Sequence, residues 1–218
     1  MQPLTAGITN AQAAPNWLRA EPPELDEVQR ALGRVVEAGN RTTDIMNRIR
    51  ALFKKTPPRK EPVDVNEAIL EVVTLTHGEA VKNGVSVETR LGDDVPEIQA
   101  DRVQLQQVIL NLMMNAMEAM SGVSQGSREL LIRTEKNASG GVLVAVQDSG
   151  PGLRSEDCDR VFDAFYTTKA DGMGMGLSIC RSIVEQHGGR ISTSRKAGPG
   201  ATIQFTLPIG GVGHEAAS

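Results

Sequence analysis

Cysteine is nearly absent from the 218 residues: Cys158 and Cys180 are the only two, with no CxxC spacing and no neighbouring histidine. A disulfide framework and a zinc site are therefore both excluded, and the two thiols read as packing residues. No run approaches the roughly 18 apolar residues that a membrane-spanning helix needs, and MQPLTAGITN has neither the charged nor the apolar region of a signal peptide, so a cytoplasmic chain is expected. A concentrated basic face is missing too. With a formal net charge of -4 and scattered lysines and arginines, nothing marks a nucleic-acid partner.

What is present begins with helical periodicity. Val28, Leu32, Val35, Met46, Ile49 and Phe53 recur at the three-and-four spacing of an amphipathic helix over Leu25 to Phe53. Pro22 and Pro23 precede it, Glu24, Asp26 and Glu27 suit its positive end, and Arg48, Arg50, Lys54 and Lys55 suit its negative end. Residues 3–20 form the expected partner helix, with a kink or break at Pro15. Two antiparallel helices cannot bury a two-sided seam alone, so a homodimer through a four-helix bundle is expected of this hairpin, residues 1–56.

The proline-rich and charged segment 57–62 reads as a linker. A second domain follows over 63–209, in the order helix (66–82), strand (85–90), helix (102–120), strands (130–135 and 142–147), helix (177–186) and strands (190–195 and 202–207). Consecutive strands joined by SGG and AGPG imply hairpins, hence an α+β sandwich with a mixed or antiparallel sheet and helices on one face. Residues 210–218 are expected to form a loose tail.

Three elements of this domain carry chemistry. In DRVQLQQVILNLMMNAMEAM, Asp101 and Gln104 make a capping-box-like start, while Gln104, Gln107, Asn111, Asn115 and Glu118 form a polar stripe that is rich in amides. An amide oxygen can join the few protein ligands by which Mg²⁺ is held beside nucleotide phosphates. In VAVQDSGPGL, a strand ends in Asp148, an acceptor suited to an exocyclic amine such as that of adenine, and Gly150 and Gly152 let a ligand approach the turn. In GMGMGLSICRSIVEQHGG, Gly172, Gly174 and Gly176 run into a helix at Leu177, whose free N–H groups and dipole favour phosphate. No GK[ST] follows, so it is no P-loop; HRD and DFG elements are missing as well. Between the second and third elements lies VFDAFYTTK, where Phe162 and Phe165 can anchor the loop and Lys169 can reach a phosphate. Taken singly, each has an ordinary reading: a solvated helix face, a tight turn, core aromatics, a surface lysine.

In this order, NLMMNAMEA, DSGPG, VFDAFYTTK and GMGMGL resemble the N, G1, F and G2 boxes of two-component sensor histidine kinases, within the ATPase superfamily that includes gyrase and mismatch-repair proteins. The resemblance implies ATP and Mg²⁺ as cofactors. It assigns Mg²⁺ to Asn115, adenine to Asp148 and the phosphates to the glycine loops, and matches Thr202 to a threonine near the adenine. Asn111 stands where gyrase-like members carry a water-activating glutamate, which implies phosphotransfer to protein rather than hydrolysis. The family's phosphoacceptor box has the form HExNQPL, whereas this chain opens MQPLTAG, so the histidine falls before Met1. His77, His187 and His214 offer no substitute, and autophosphorylation of these residues alone is not expected. A response-regulator receiver domain is the implied partner. A nucleotide-binding scaffold without phosphotransfer remains the rival reading; a gyrase-like ATPase or anti-sigma-factor kinase is disfavoured by the hairpin and Asn111.

Overall fold

The computed structural model describes residues 3–53, 59–122, 126–167, 174–194 and 200–210. Lys169, Gly172, His214 and residues 211–218 of the expected tail lie outside the described residues. The chain divides into two units, Met1–Lys55 and Thr56–Ser218.

The first unit pairs helix α1 (Pro3–Leu18) with helix α2 (Leu25–Phe53). Small residues make the contact: Gly7, Ala14, Ala31 and Ala38 are buried, and a Cβ on Gly7 would meet Ala38 Cβ at 3.0 Å. Val28 and Val35 are half-buried beside them, whereas Ile8, Leu18, Leu25, Leu32 and Val36 stand exposed. The side chains of Met46, Ile49 and Phe53 lie outside the described part. Pro15 does not break α1, contrary to expectation. It falls in the last turn, where the missing N–H forfeits one bond, and its own carbonyl accepts from Arg19 N at 3.2 Å as the helix ends.

The second unit contains strand β1 (Glu61–Val63), helix α3 (Val65–Lys82), strands β2 (Val85–Leu91) and β3 (Ile98–Ala100), and helix α4 (Arg102–Met120). Strands β4 (Arg128–Lys136) and β5 (Val142–Asp148), a 3₁₀ turn (Arg160–Phe162), helix α5 (Gly176–Gln186) and strands β6 (Arg190–Ser194) and β7 (Thr202–Leu207) complete it. Five strands form one mixed sheet in the order β2-β4-β5-β7-β6, with β2 parallel to β4 and the other pairs antiparallel. Strands β1 and β3 form a separate two-stranded pair. Sequence reasoning missed both, and Glu61 and Pro62 of the expected linker belong to β1, because three residues are too few to show an alternating pattern.

Alternation decides the layers. Leu130, Ile132, Val144, Val146 and Phe205 are buried on the sheet face against which α4 and α5 pack, together with Leu105, Ile109, Leu112, Met113 and Ile179. On the other face of β4, Glu129, Leu131, Arg133 and Glu135 are half-buried or exposed. Helix starts are set by acidic caps: the Asp64 carboxylate accepts from Asn66 N and Glu67 N, and Asp101 Oδ1 accepts from Gln104 N at 3.1 Å.

Only half of the expected capping box at Asp101 forms. Asp101 N donates instead to His187 Nε2 at 3.0 Å, and the buried Gln104 Oε1 has no hydrogen-bond partner among the described residues. His187 Nδ1 lies 2.8 Å from the Ile183 carbonyl, which puts the proton on Nδ1. This buried histidine therefore tethers the end of α5 to the start of α4 and is fully used by the fold.

Candidate nucleotide site

Helix α4 is the floor along which the site is laid out. Asn111, Asn115 and Ala119 recur every four residues on one face, so they span about 12 Å at the helical rise. At the first of these, Asn111 neighbours Cys180 of α5, whose thiol donates to the Val108 carbonyl at 3.8 Å. Burial pushes that thiol up to about 12, with Asn111 opposing the rise. One turn on, Asn115 faces the start of α5: a Cβ on Gly176 would lie 3.4 Å from Asn115 Nδ2. A further turn on, the Gly150 backbone approaches so closely that a Cβ would lie 3.5 Å from the Ala119 carbonyl.

Asp148 ends β5 at this last position and is 8% exposed. Its Oδ1 accepts from Gly150 N at 2.8 Å and from Ala201 N at 3.2 Å. Among the described residues, Oδ2 has no hydrogen-bond partner. Burial raises the carboxyl above its ordinary value, and the backbone donors oppose this. Gly152 sits at φ +82, where a Cβ would lie 3.0 Å from the Gly200 carbonyl, and only a residue without Cβ fits at Gly200, against the Asp148 carbonyl.

Helix α5 begins with Gly176 and Leu177 and has no side-chain cap among the described residues; its cap position is the buried Met175. Free N–H groups thus face the same region as Asn115, the arrangement that anions favour. Gly174, at φ +64, precedes it, with its carbonyl accepting from Phe165 N at 3.0 Å.

The strip of α4 that carries Asn111, Asn115 and Ala119 thus runs from Gly176 of α5 to Gly150 beside Asp148, with Gly174 and Leu177 flanking Gly176 in the chain and Gly152 following Gly150. Thr202 does not join them. It pairs with Gln147 in the β5–β7 register, so its side chain shares the Gln147 face of the sheet while Asp148 points to the helices. Ala201, which sequence reasoning passed over, is the β7-side residue that meets Asp148, and it does so through its backbone N–H, which no side-chain pattern reveals. Tyr166 was missed as well: its hydroxyl donates to the buried Asp157 Oδ1, and the Arg160 guanidinium lies 4.6 Å from its ring centroid. This bond raises the phenol above its ordinary value.

A metal would have to arrive with its own ligands. Among the described residues no group of three His, Cys, Asp or Glu side chains could hold one, and Asn115 supplies a single half-buried amide. That donor set fits Mg²⁺ carried by phosphates.

A mixed sheet covered on one face by helices, with an acid at a strand end, glycine turns and an uncapped helix, defines an ATP-binding domain of the GHKL type. Residues 100–211 match the family described as Histidine kinase-, DNA gyrase B-, and HSP90-like ATPase. The chain is 38% identical over 95% of its length to Sensor histidine kinase TmoS of Ectopseudomonas mendocina, covering 22% of that protein. It is 37% identical over 95% of its length to Sensor protein FixL of Bradyrhizobium diazoefficiens, covering 41%. The catalytic domain of histidine kinase ThkA superposes with a TM-score of 0.61 at 33% identity, over 69% of this chain and 96% of that one. The chain belongs to the sensor histidine kinases and carries their ATP-binding kinase core. It spans between a fifth and about two fifths of the length of those two curated relatives. Among the described residues, no helix is long and apolar enough to cross a membrane.

Proposed function

We propose that this site binds ATP with the adenine amine on Asp148 Oδ2 and the phosphates at the first turn of α5, for transfer of the γ-phosphoryl group to a histidine outside these 218 residues and relay to a response-regulator aspartate. The carrying observation is the division of labour at Asp148, where two backbone donors occupy Oδ1 and leave Oδ2 for a ligand donor. Asn115 is the residue that would hold Mg²⁺, which when bound neutralises charge on the transferring phosphoryl group. Asn111 is a neutral amide, so it offers no base to activate water, in keeping with transfer to protein. Lys169 and Gly172 would complete the phosphate contacts. A response-regulator receiver domain is the expected partner; one fold neighbour is histidine kinase ThkA in complex with response regulator protein TrrA. The exposed Ile8, Leu18, Leu25, Leu32 and Val36 support a homodimer built on the hairpin, joined by a short linker to the ATP domain.

The test is label transfer. Incubated with γ-labelled ATP and a separately supplied hairpin carrying the complete HExNQPL box, the chain should phosphorylate that hairpin. Tight ATP binding without transfer would instead support a nucleotide-dependent scaffold.

A further inference from the structure

We propose that Tyr166, held by Asp157 and Arg160, is a positioning residue that sets the first turn of α5 against Asn115 and so governs the phosphate end of the nucleotide site. The proposal rests on the ATP reading above.

Asp157 is an acidic side chain only 7% exposed, and it lies outside the adenine site. It is fixed at the base of the 3₁₀ turn: its N–H donates to the Arg154 carbonyl and its carbonyl accepts from Val161 N, both at 2.9 Å. A buried carboxylate needs a partner, and its partner here is the Tyr166 hydroxyl. Arg160 lies over the ring of the same tyrosine, which is thus held at its tip and on its face.

From Tyr166 the constraint passes to the site through backbone. Tyr166 N donates to the Asp163 carbonyl at 3.2 Å, and the Tyr166 carbonyl oxygen packs against Gly174, where no Cβ would fit. Phe165 N donates to the Gly174 carbonyl, with Phe165 at φ 69 and Gly174 at φ 64. A left-handed backbone at a non-glycine residue persists only when its neighbours impose it. Phe165 is 73% exposed and cannot supply the anchor by burial. The anchor is the next side chain, Tyr166. Gly176, two residues beyond Gly174, is the position that meets Asn115. Tyr166 therefore acts on phosphate without touching it.

Tyr166→Phe keeps the ring and removes the donor; Asp157→Asn keeps an acceptor for it; Asp157→Ala removes that acceptor. With the full chain, affinity for a non-hydrolysable ATP analogue with Mg²⁺ is measured by calorimetry, and affinity for adenosine by displacement. Tyr166→Phe and Asp157→Ala are expected to weaken the ATP analogue roughly tenfold while changing adenosine by less than about twofold, since Asp148 reads the base at the other end of the strip. Asp157→Asn should restore most of the analogue affinity. The proposal is overturned if Tyr166→Phe leaves analogue binding unchanged, or if it weakens adenosine by the same factor, which is the signature of general loosening. A wild-type chain that binds neither ligand would instead overturn the ATP reading, and this proposal with it.

Discussion

The two units solve the same problem of apolar burial in opposite ways. In the hairpin, small residues occupy the helix contact and the large ones, Leu25, Leu32 and Val36 among them, are left exposed. In the ATP unit, Phe205, Ile132, Leu112 and Met113 are almost completely buried between sheet and helices. Among the described residues, a helix pair meeting through Gly7 and Ala38 brings its backbones close and leaves Leu25, Leu32 and Val36 in water, where the homodimer proposed above would cover them. The ATP unit has closed its own core. That difference separates the element suited to assembly from the element suited to a preformed site.

Three substitutions sharpen or break this contrast. Phe205→Ala should cost about 3–5 kcal/mol in denaturant unfolding of the ATP unit, the range for removing a large aromatic from a closed core. A loss below about 1 kcal/mol would show that the core is not as closed as its burial implies. Leu32→Glu should leave the ATP unit folded and convert a dimer to a monomer in light scattering, through loss of about 1.5–3 kcal/mol of apolar burial for each copy of the side chain. If Phe205→Ala dissociated the dimer and Leu32→Glu did not, the assignment of roles would be reversed.

The smallest expected change in stability, and the most specific in function, is at Asp148. Asp148→Asn preserves an oxygen for Gly150 N and Ala201 N but turns the second position into a donor, so ATP affinity should fall by roughly ten- to a hundredfold in calorimetry. Folding should not suffer. Burial raises the folded carboxyl above its ordinary 3.8, so the folded state binds more protons than the unfolded state as pH climbs through that window. The contribution of Asp148 to stability is therefore present in acid and declines as pH rises to the raised value. The asparagine variant lacks this decline, and its stability relative to wild type should increase from acid toward neutral pH. A constant difference across that range would remove the burial argument.

Much of this was legible along the chain. The long strands and the helices fall within a residue or two of their periodic patterns because each has one buried face. The amide stripe, Asp148 and the glycines are visible because amides on a helix, an acid ending an apolar strand and repeated glycines are locally unusual. Three features were not. Pro15 reads as a breaker, but its cost depends on how near the helix end falls. Thr202 reads as a site residue, yet the β5–β7 register turns it away from Asp148. His187 reads as one of three spare histidines until Asp101 N is found 3.0 Å from it.

By itself the sequence determined the family, the order of the helices and long strands and the residue types able to meet a nucleotide, since those follow from local pattern. The tertiary structure alone decided which of them converge. Asp148 with Ala201, Asn115 with Gly176 and Tyr166 with Asp157 are brought together by strand pairing, helix packing and a side-chain hydrogen bond across a loop, and such pairings leave no periodic mark on the chain.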